Sequence, residues 1–265
     1  MSIEKERVIS KVPQVTLVFW IIKVLATTLG ETGGDAVSMS MDLGYLVGTI
    51  IFSLIFALAV GIQVYAKKFH PFLYWLTIIA TTTVGTTLAD FADRSLGIGY
   101  AGGTAILLAL LILSLFIWYR TLGSVAVNTV SSPKAEIFYW VTIMFSQTLG
   151  TALGDWTADD AGLGYGGSAL LFGGMLLAIA AAYRWTKISH TALFWAAFIL
   201  TRPLGAVVGD LLDKPLDEGG LALSRYSASG ALLFLIVVLV LAFRQKPASR
   251  PHGLGLIPPS AASES

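Results

Sequence analysis

The stretch WIIKVLATTLGETGGD, residues 20–35, returns as WLTIIATTTVGTTLAD at 75–90, WVTIMFSQTLGTALGD at 140–155 and WAAFILTRPLGAVVGD at 195–210. In every copy a tryptophan (Trp20, Trp75, Trp140, Trp195) precedes a glycine by ten residues (Gly30, Gly85, Gly150, Gly205) and an aspartate by fifteen (Asp35, Asp90, Asp155, Asp210). Offsets held four times mark an internal repeat. Working outward, a tyrosine follows ten residues after the first three aspartates (Tyr45, Tyr100, Tyr165) and sixteen after the fourth (Tyr226), so the last turn carries a six-residue insertion. The spacing is also hierarchical. Trp20 to Trp75 and Trp140 to Trp195 are both 55 residues, and the two halves are offset by 120. Repeats two and four share Asp-x-x-Asp (Asp90 with Asp93, Asp210 with Asp213), while repeats one and three share Thr-Leu-Gly-x-x-x-Gly-Asp. The halves read as duplicates.

The rest of the chain explains what the repeats are made of. Its 265 residues are 55% hydrophobic and 12% charged, with no cysteine, and the mean hydropathy is +0.77. A soluble domain carries about a quarter charged residues, so much of this surface must face lipid. That excludes a secreted disulfide scaffold and most soluble enzymes, and a net charge of +1 excludes a nucleic-acid binder with a basic face. Without thiols, thiolate chemistry is also excluded.

Apolar runs of about 20 residues suit membrane-crossing helices. They fall near 14–34, 43–65, 72–91, 98–119, 136–156, 163–183, 191–212 and 227–244. The expected fold is all-α and polytopic: eight transmembrane helices in four parallel two-helix repeats (about 14–65, 72–119, 136–183 and 191–244), within one domain over 1–245. The N-terminal segment does not read as a cleavable signal peptide, and residues 246–265 read as a disordered cytoplasmic tail. Lys5, Arg7, Lys11, Lys67, Lys68, Arg120, Lys134, Arg184, Lys187, Arg244, Lys246 and Arg250 all fall on one set of connections. The positive-inside rule then places both ends in the cytoplasm. Acids crowd the opposite side, where Asp42, Asp159, Asp160, Asp217 and Glu218 read as solvated turn residues. Two helices per repeat give all repeats one orientation, the parallel-repeat case.

With four tandem two-helix repeats, each marked by one tryptophan at 20, 75, 140 and 195, the chain resembles a bacterial membrane-protein family built from four such repeats of unknown function. The resemblance spans roughly 14–244. It implies the architecture and a cytoplasmic (inner) membrane location, and no activity.

Candidate function therefore rests on residues. Positions 7, 11 and 15 after each tryptophan share one helix face. They are Thr27, Glu31, Asp35; Thr82, Thr86, Asp90; Gln147, Thr151, Asp155; and Arg202, Ala206, Asp210. Lys23 extends the first stripe. An ionised side chain facing lipid at mid-helix costs about 2.5–3.5 kcal/mol or more, so the stripes must turn toward helices or water. Beside them run small residues four apart, Gly30 and Gly34, Gly85 and Ala89, Gly150 and Gly154, Gly205 and Gly209, which let helices approach closely. The simplest assembly sets the four first helices around an axis, stripes converging, second helices outside. The tryptophans read as lipid-interface anchors, and Lys23 can snorkel to the inner interface.

Intramembrane carboxylates imply function by default. The leading expectation is a proton-coupled carrier, with efflux mildly preferred, for a hard cation such as Mn²⁺. Asp35, Asp90, Asp155 and Asp210 are the candidate ligands, supported by Glu31, Asp93 and Asp213. Arg202 and Lys23 would couple charge, and Thr27, Thr82, Thr86, Gln147 and Thr151 would line the path. Oxygen ligands favour hard ions. The alternatives are a carrier of a small organic or anionic substrate held by Arg202 and Lys23, or a non-transporting scaffold. Arg202 also reads as the buried partner of Glu31 or of an aspartate. An intramembrane aspartyl protease is disfavoured: it needs one close dyad, and here the motif occurs four times. No catalytic residue and no cofactor is expected, and the partners are lipid, a small substrate and, as an option, further copies of the chain.

Overall fold

The computed structural model describes residues 10–248. Lys5, Arg7, Arg250 and most of the expected tail, 249–265, lie outside them. Eight helices follow in order: α1 (Leu17–Asp35), α2 (Gly44–Tyr65), α3 (Pro71–Asp90), α4 (Tyr100–Leu122), α5 (Pro133–Asp155), α6 (Gly164–Trp185), α7 (His190–Asp213) and α8 (Arg225–Ala242). Seven are long and apolar enough to cross a membrane, and the chain is an integral membrane protein. The eighth, α5, has 23 residues but carries Lys134, Glu136, Gln147 and Asp155. Neighbours α3, α4 and α7 cover it.

The odd-numbered helices form the interior. Over their most apolar windows α1, α3 and α7 are 61%, 72% and 67% buried, against 17%, 22%, 11% and 22% for α2, α4, α6 and α8. In the interior ring α1 packs on α3, α3 on α5, α5 on α7 and α7 back on α1. Each even helix lies against the first helix of the following repeat: α2 on α3, α4 on α5, α6 on α7, and α8 closes the circle on α1. Their outer faces present Leu54, Leu58, Leu170, Leu177 and Phe234, the apolar surface a bilayer requires. The four interior helices are parallel, because their aromatic ends touch one another and their aspartate ends share ion-pair partners.

The small-residue ridge sets the interior spacing. A Cβ added at Gly30 would meet Thr82, at Gly85 Gln147, at Gly150 Arg202, and at Gly205 Thr27. One turn on, Gly34 receives Thr86, Gly154 receives Ala206 and Gly209 receives Glu31. So the ridge of each repeat seats the polar stripe of the next. An added methyl at Gly85 would lie 2.8 Å from the Gln147 carbonyl carbon, and at Gly205 2.8 Å from that of Thr27. Gly85→Ala and Gly205→Ala should each destabilise by about 1–3 kcal/mol, the range for overpacking. Gly61→Ala and Gly174→Ala, where nothing stands within 4 Å, should not lower the thermal midpoint in detergent. Equal midpoints in all four variants would refute this packing.

Three turns between the helices of a repeat share one geometry. Gly44, Gly99 and Gly164 stand at the start of the second helix at φ 76°, 76° and 63°, and two residues earlier Asp42, Gly97 and Gly162 take φ 55°, 72° and 70°. Asp42 thus fills a left-handed position that is glycine elsewhere, which aspartate tolerates better than most residues. In repeat four the insertion folds back on α7: Leu221 and Leu223 donate to the carbonyls of Leu211 and Leu212, and Ala222 to that of Lys214. It thereby satisfies carbonyls a helix end leaves open.

Two expectations are corrected at the opposite end. Trp75, Trp140 and Trp195 are buried rather than at the lipid interface, and Trp20 is half-buried against Phe19 and Phe194. With Phe19, Tyr74, Tyr139 and Phe194, each one residue before a repeat tryptophan, the four form an aromatic plug. The Tyr74 and Tyr139 hydroxyls bond at 2.7 Å within it, and Trp195 Nε1 donates to the Val125 carbonyl at 2.9 Å. Four parallel helices converge here, and only large flat side chains fill the space between them. The start of the presumed tail is also ordered: Gln14 N donates to Lys246 O at 2.8 Å and Ala248 N to Val12 O at 2.7 Å, because paired backbone satisfies groups that helix termini leave exposed.

Candidate functional site

Above the plug the axis is layered. Three residues past each tryptophan stand Lys23, Ile78, Ile143 and Phe198, all fully buried. Lys23 does not snorkel. Its ammonium lies over the Phe198 ring, 4.2 Å from the centroid, because α7 and α3 flank α1 at this depth. One turn further come Thr27, Thr82, Gln147 and Arg202, also fully buried.

Arg202 crosses the axis and reaches the next layer. Its Nη2 donates to Glu31 Oε2 at 2.9 Å, Thr86 Oγ1 at 2.5 Å and Thr151 Oγ1 at 2.5 Å. Nη1 donates to the Thr27 carbonyl at 3.4 Å. Glu31, Thr86 and Thr151 hold the same position in repeats one, two and three. The fourth repeat has Ala206 there, seated against Gly154. One guanidinium thus gathers three repeats, and the two departures from symmetry, Glu31 and Arg202, answer each other. This is the buried ion pair that the sequence allowed.

The four aspartates gather at the end opposite the aromatic plug, but as two bridged pairs. Lys214 Nζ lies 2.9 Å from Asp35 Oδ2 and 3.1 Å from Asp210 Oδ1. Arg94 Nε lies 2.9 Å from Asp90 Oδ1, and its Nη2 lies 3.6 Å from Asp155 Oδ2. Each bridge joins a repeat's own aspartate to that of the next repeat, so the two are equivalent under duplication of the halves. Arg94 also packs over the Tyr100 ring, 5.6 Å from its centroid. Arg225, opening α8, pairs with Asp213 at 3.1 Å and lies 3.8 Å from Asp35. Asp93 points away from the axis, against Gly103 of α4.

Glu31, Asp35 and Asp210 each offer an oxygen within 4.8 Å of the other two, and all three are buried. Asp90 and Asp155 do not join that group. Three of the aspartates lead directly into a five-residue π-helical turn: Ala36–Ser40, Phe91–Ser95 and Trp156–Asp160. Such turns concentrate at functional sites. After Asp210 the helix runs on to Asp213 and the insertion replaces the turn. Asp159 and Asp160 are exposed, as expected of turn residues.

Sequence reasoning missed Arg94, Lys214 and Arg225. A signal for two of them was present: Asp-x-x-Asp is followed at once by a basic residue in repeats two and four. That residue lies four after the stripe aspartate, within reach of it on a helix.

A family model, Repeat of Unknown Function (DUF347), matches at residues 18–69, 73–124, 138–189 and 193–246. No curated protein and no solved structure matches the chain. The four matched segments each hold one of the tryptophans that open the repeats, Trp20, Trp75, Trp140 and Trp195, with one ridge and one stripe, and they account for every helix of the ring. The chain belongs to the Repeat of Unknown Function (DUF347) family, as four copies in tandem.

Proposed function

We propose that this protein is a proton-coupled carrier for a hard cation such as Mn²⁺, in the cytoplasmic membrane of a bacterium. All eight helices span the bilayer in this reading, with the basic, aromatic-plugged end inside and the aspartate end outside. Efflux is the favoured direction. The observation that carries the reading is the buried triad of Glu31, Asp35 and Asp210, with carboxylate oxygens within 4.8 Å of one another and a tethered ammonium, Lys214, between two of them. Oxygen-only ligands in that number favour hard cations.

Carboxylates this close and this buried need neutralising. Lys214 does so here, and a mobile divalent cation or protons are chemically equivalent substitutes. The carrier then works by exchange. When the outer pairs open, Lys214 and Arg225 move away from the triad, protons occupy its carboxylates and the cation leaves outward. When they close, the inner side takes the protons and a new cation is loaded from inside, with Lys214 pairing the triad whenever neither holds it. The pairs Asp90–Arg94–Asp155 and Asp35–Lys214–Asp210 serve as the outer closure and the aromatic plug as the inner one, with the two halves rocking about the shared axis. Arg202 is engaged by Glu31, Thr86 and Thr151, which favours a coupling role over direct contact with an anionic cargo. No covalent step is involved.

The test is reconstitution into liposomes with a Mn²⁺-quenched dye and a pH dye read together. Opposed cation and proton signals are expected. Asp35→Asn and Asp210→Asn should each reduce both by about tenfold or more, since outer-shell partners of a bound metal already matter that much. Cation flux unchanged by both substitutions, or no flux from folded protein, would remove the carrier reading and leave the scaffold.

A further inference from the structure

The level between the aromatic plug and the aspartate ring has a feature that the carrier reading does not use. Among the described residues, Lys23 Nζ, Thr82 Oγ1, Gln147 Nε2 and Arg202 Nε are buried without a hydrogen-bond acceptor, and Gln147 Oε1 is buried without a donor. All four side chains are fully buried. They belong to four different interior helices at two adjoining levels. In the ring α1 stands across from α5 and α3 across from α7, so Lys23 and Gln147 extend from one diagonal, Thr82 and Arg202 from the other. Native interiors seldom leave one such donor unpaired. Four around one axis point to something that accepts from all of them.

Charge gives the same answer independently. Between the plug and the aspartate ring the interior helices carry Lys23, Glu31 and Arg202. Glu31 pairs with Arg202 at 2.9 Å, and Lys23 has only the face of Phe198. Counted with every side chain in its ionised form, the compartment is one positive charge in excess. A ring face offsets part of an ammonium's lost hydration, but a buried unpaired charge is unfavourable until a counter-charge joins it. Four open donors against one open acceptor, Gln147 Oε1, ask for a ligand that accepts, and the excess charge for a single negative one.

We propose that Lys23, Thr82, Gln147 and Arg202 Nε form a site for a small monovalent anion of chloride size. The anion is a resident counter-ion that holds the four interior helices together below the Arg202–Glu31 pair. It neutralises Lys23 while Arg202 remains committed to Glu31. The site does not depend on the carrier reading and stands if that reading fails.

The test uses full-length protein in detergent, with gluconate replaced by chloride or bromide at constant ionic strength. A saturable rise of several degrees in the thermal midpoint is expected, as binding to the folded state alone requires. Sulfate, doubly charged and larger, should give none. Lys23→Met should abolish the chloride-dependent rise, and its midpoint in gluconate should match or exceed that of the native chain. Equal midpoints in gluconate and chloride, or a chloride response that persists in Lys23→Met, would overturn the proposal. Bromide anomalous scattering from the unsubstituted protein gives a second reading should the variant fail to fold. A peak at the level of Gln147 supports the site, and a null map there from bromide-grown crystals overturns it.

Discussion

Arg202→Met should lower the stability of the protein by about 3–5 kcal/mol, the range for stripping one partner from a buried ion pair. The substitution keeps much of the apolar stem of the side chain while removing its contacts to Glu31, Thr86, Thr151 and the Thr27 carbonyl. Glu31, 3% exposed, would retain only the Thr86 hydroxyl at 3.3 Å. Lysine should rescue little, since one ammonium cannot reproduce a planar fork that reaches Glu31, Thr86, Thr151 and the Thr27 carbonyl together. Adding Glu31→Gln to Arg202→Met should recover part of the loss, because the stranded carboxylate is the larger share of it. A double-mutant cycle on thermal or denaturant unfolding in detergent should show coupling of about 1–3 kcal/mol between the two sites. Additive effects would mean that the pair makes no net contribution and that Arg202 acts through packing of its stem against Gly150.

Lys214→Met should be the second most damaging change, and it should exceed Arg94→Met although the two residues are pseudo-symmetric equivalents. The difference lies in solvent. The Lys214 side chain is 8% exposed and bridges carboxylates that are 1% and 5% exposed, so its loss leaves two buried charges near one another, at about 3–5 kcal/mol. The Arg94 side chain is 35% exposed, and water screens its pairs toward the level of about 1 kcal/mol. Burial by itself would lower the pKa of Lys214, but Asp210 and Asp35 outweigh it and raise the value above that of ordinary lysine. A raised folded-state pKa gives stabilisation that is complete below the unfolded value and lost only as pH climbs through the folded one. The gap between native protein and Lys214→Met should therefore hold steady from about pH 7 to 9, below the ordinary lysine value near 10.4. A gap that closes within that range, or equal losses in the two variants, would refute the assignment of Lys214 as a buried bridging cation.

Both results test features with different histories in the sequence. The Arg202–Glu31 pair was legible, since each breaks a four-fold pattern at adjoining levels, Glu31 in the stripe of repeat one and Arg202 in that of repeat four. Lys214 and Arg94 were hidden because their aspartates come from two repeats: the charge partner four residues away is visible on one helix, and the partner on the neighbouring helix of the ring is not. The tryptophans were misplaced for a related reason. A tryptophan near a helix end suits either a lipid interface or a bundle end, and only the presence of four convergent copies decides between them.

Repetition and hydropathy were enough to establish the long apolar helices, the shared face of each polar stripe, the glycine ridge beside it and the gathering of the aspartates at one end. These follow from the 3.6-residue turn and from the penalty of exposing polar groups to lipid, both properties of a single helix. Tertiary structure alone decided that each second helix covers the first helix of the next repeat, that each ridge seats the next repeat's stripe, and that the four aspartates divide into two bridged pairs. Those outcomes depend on distances between helices and on where long arginine and lysine stems can reach. Such quantities do not exist until the ring has closed.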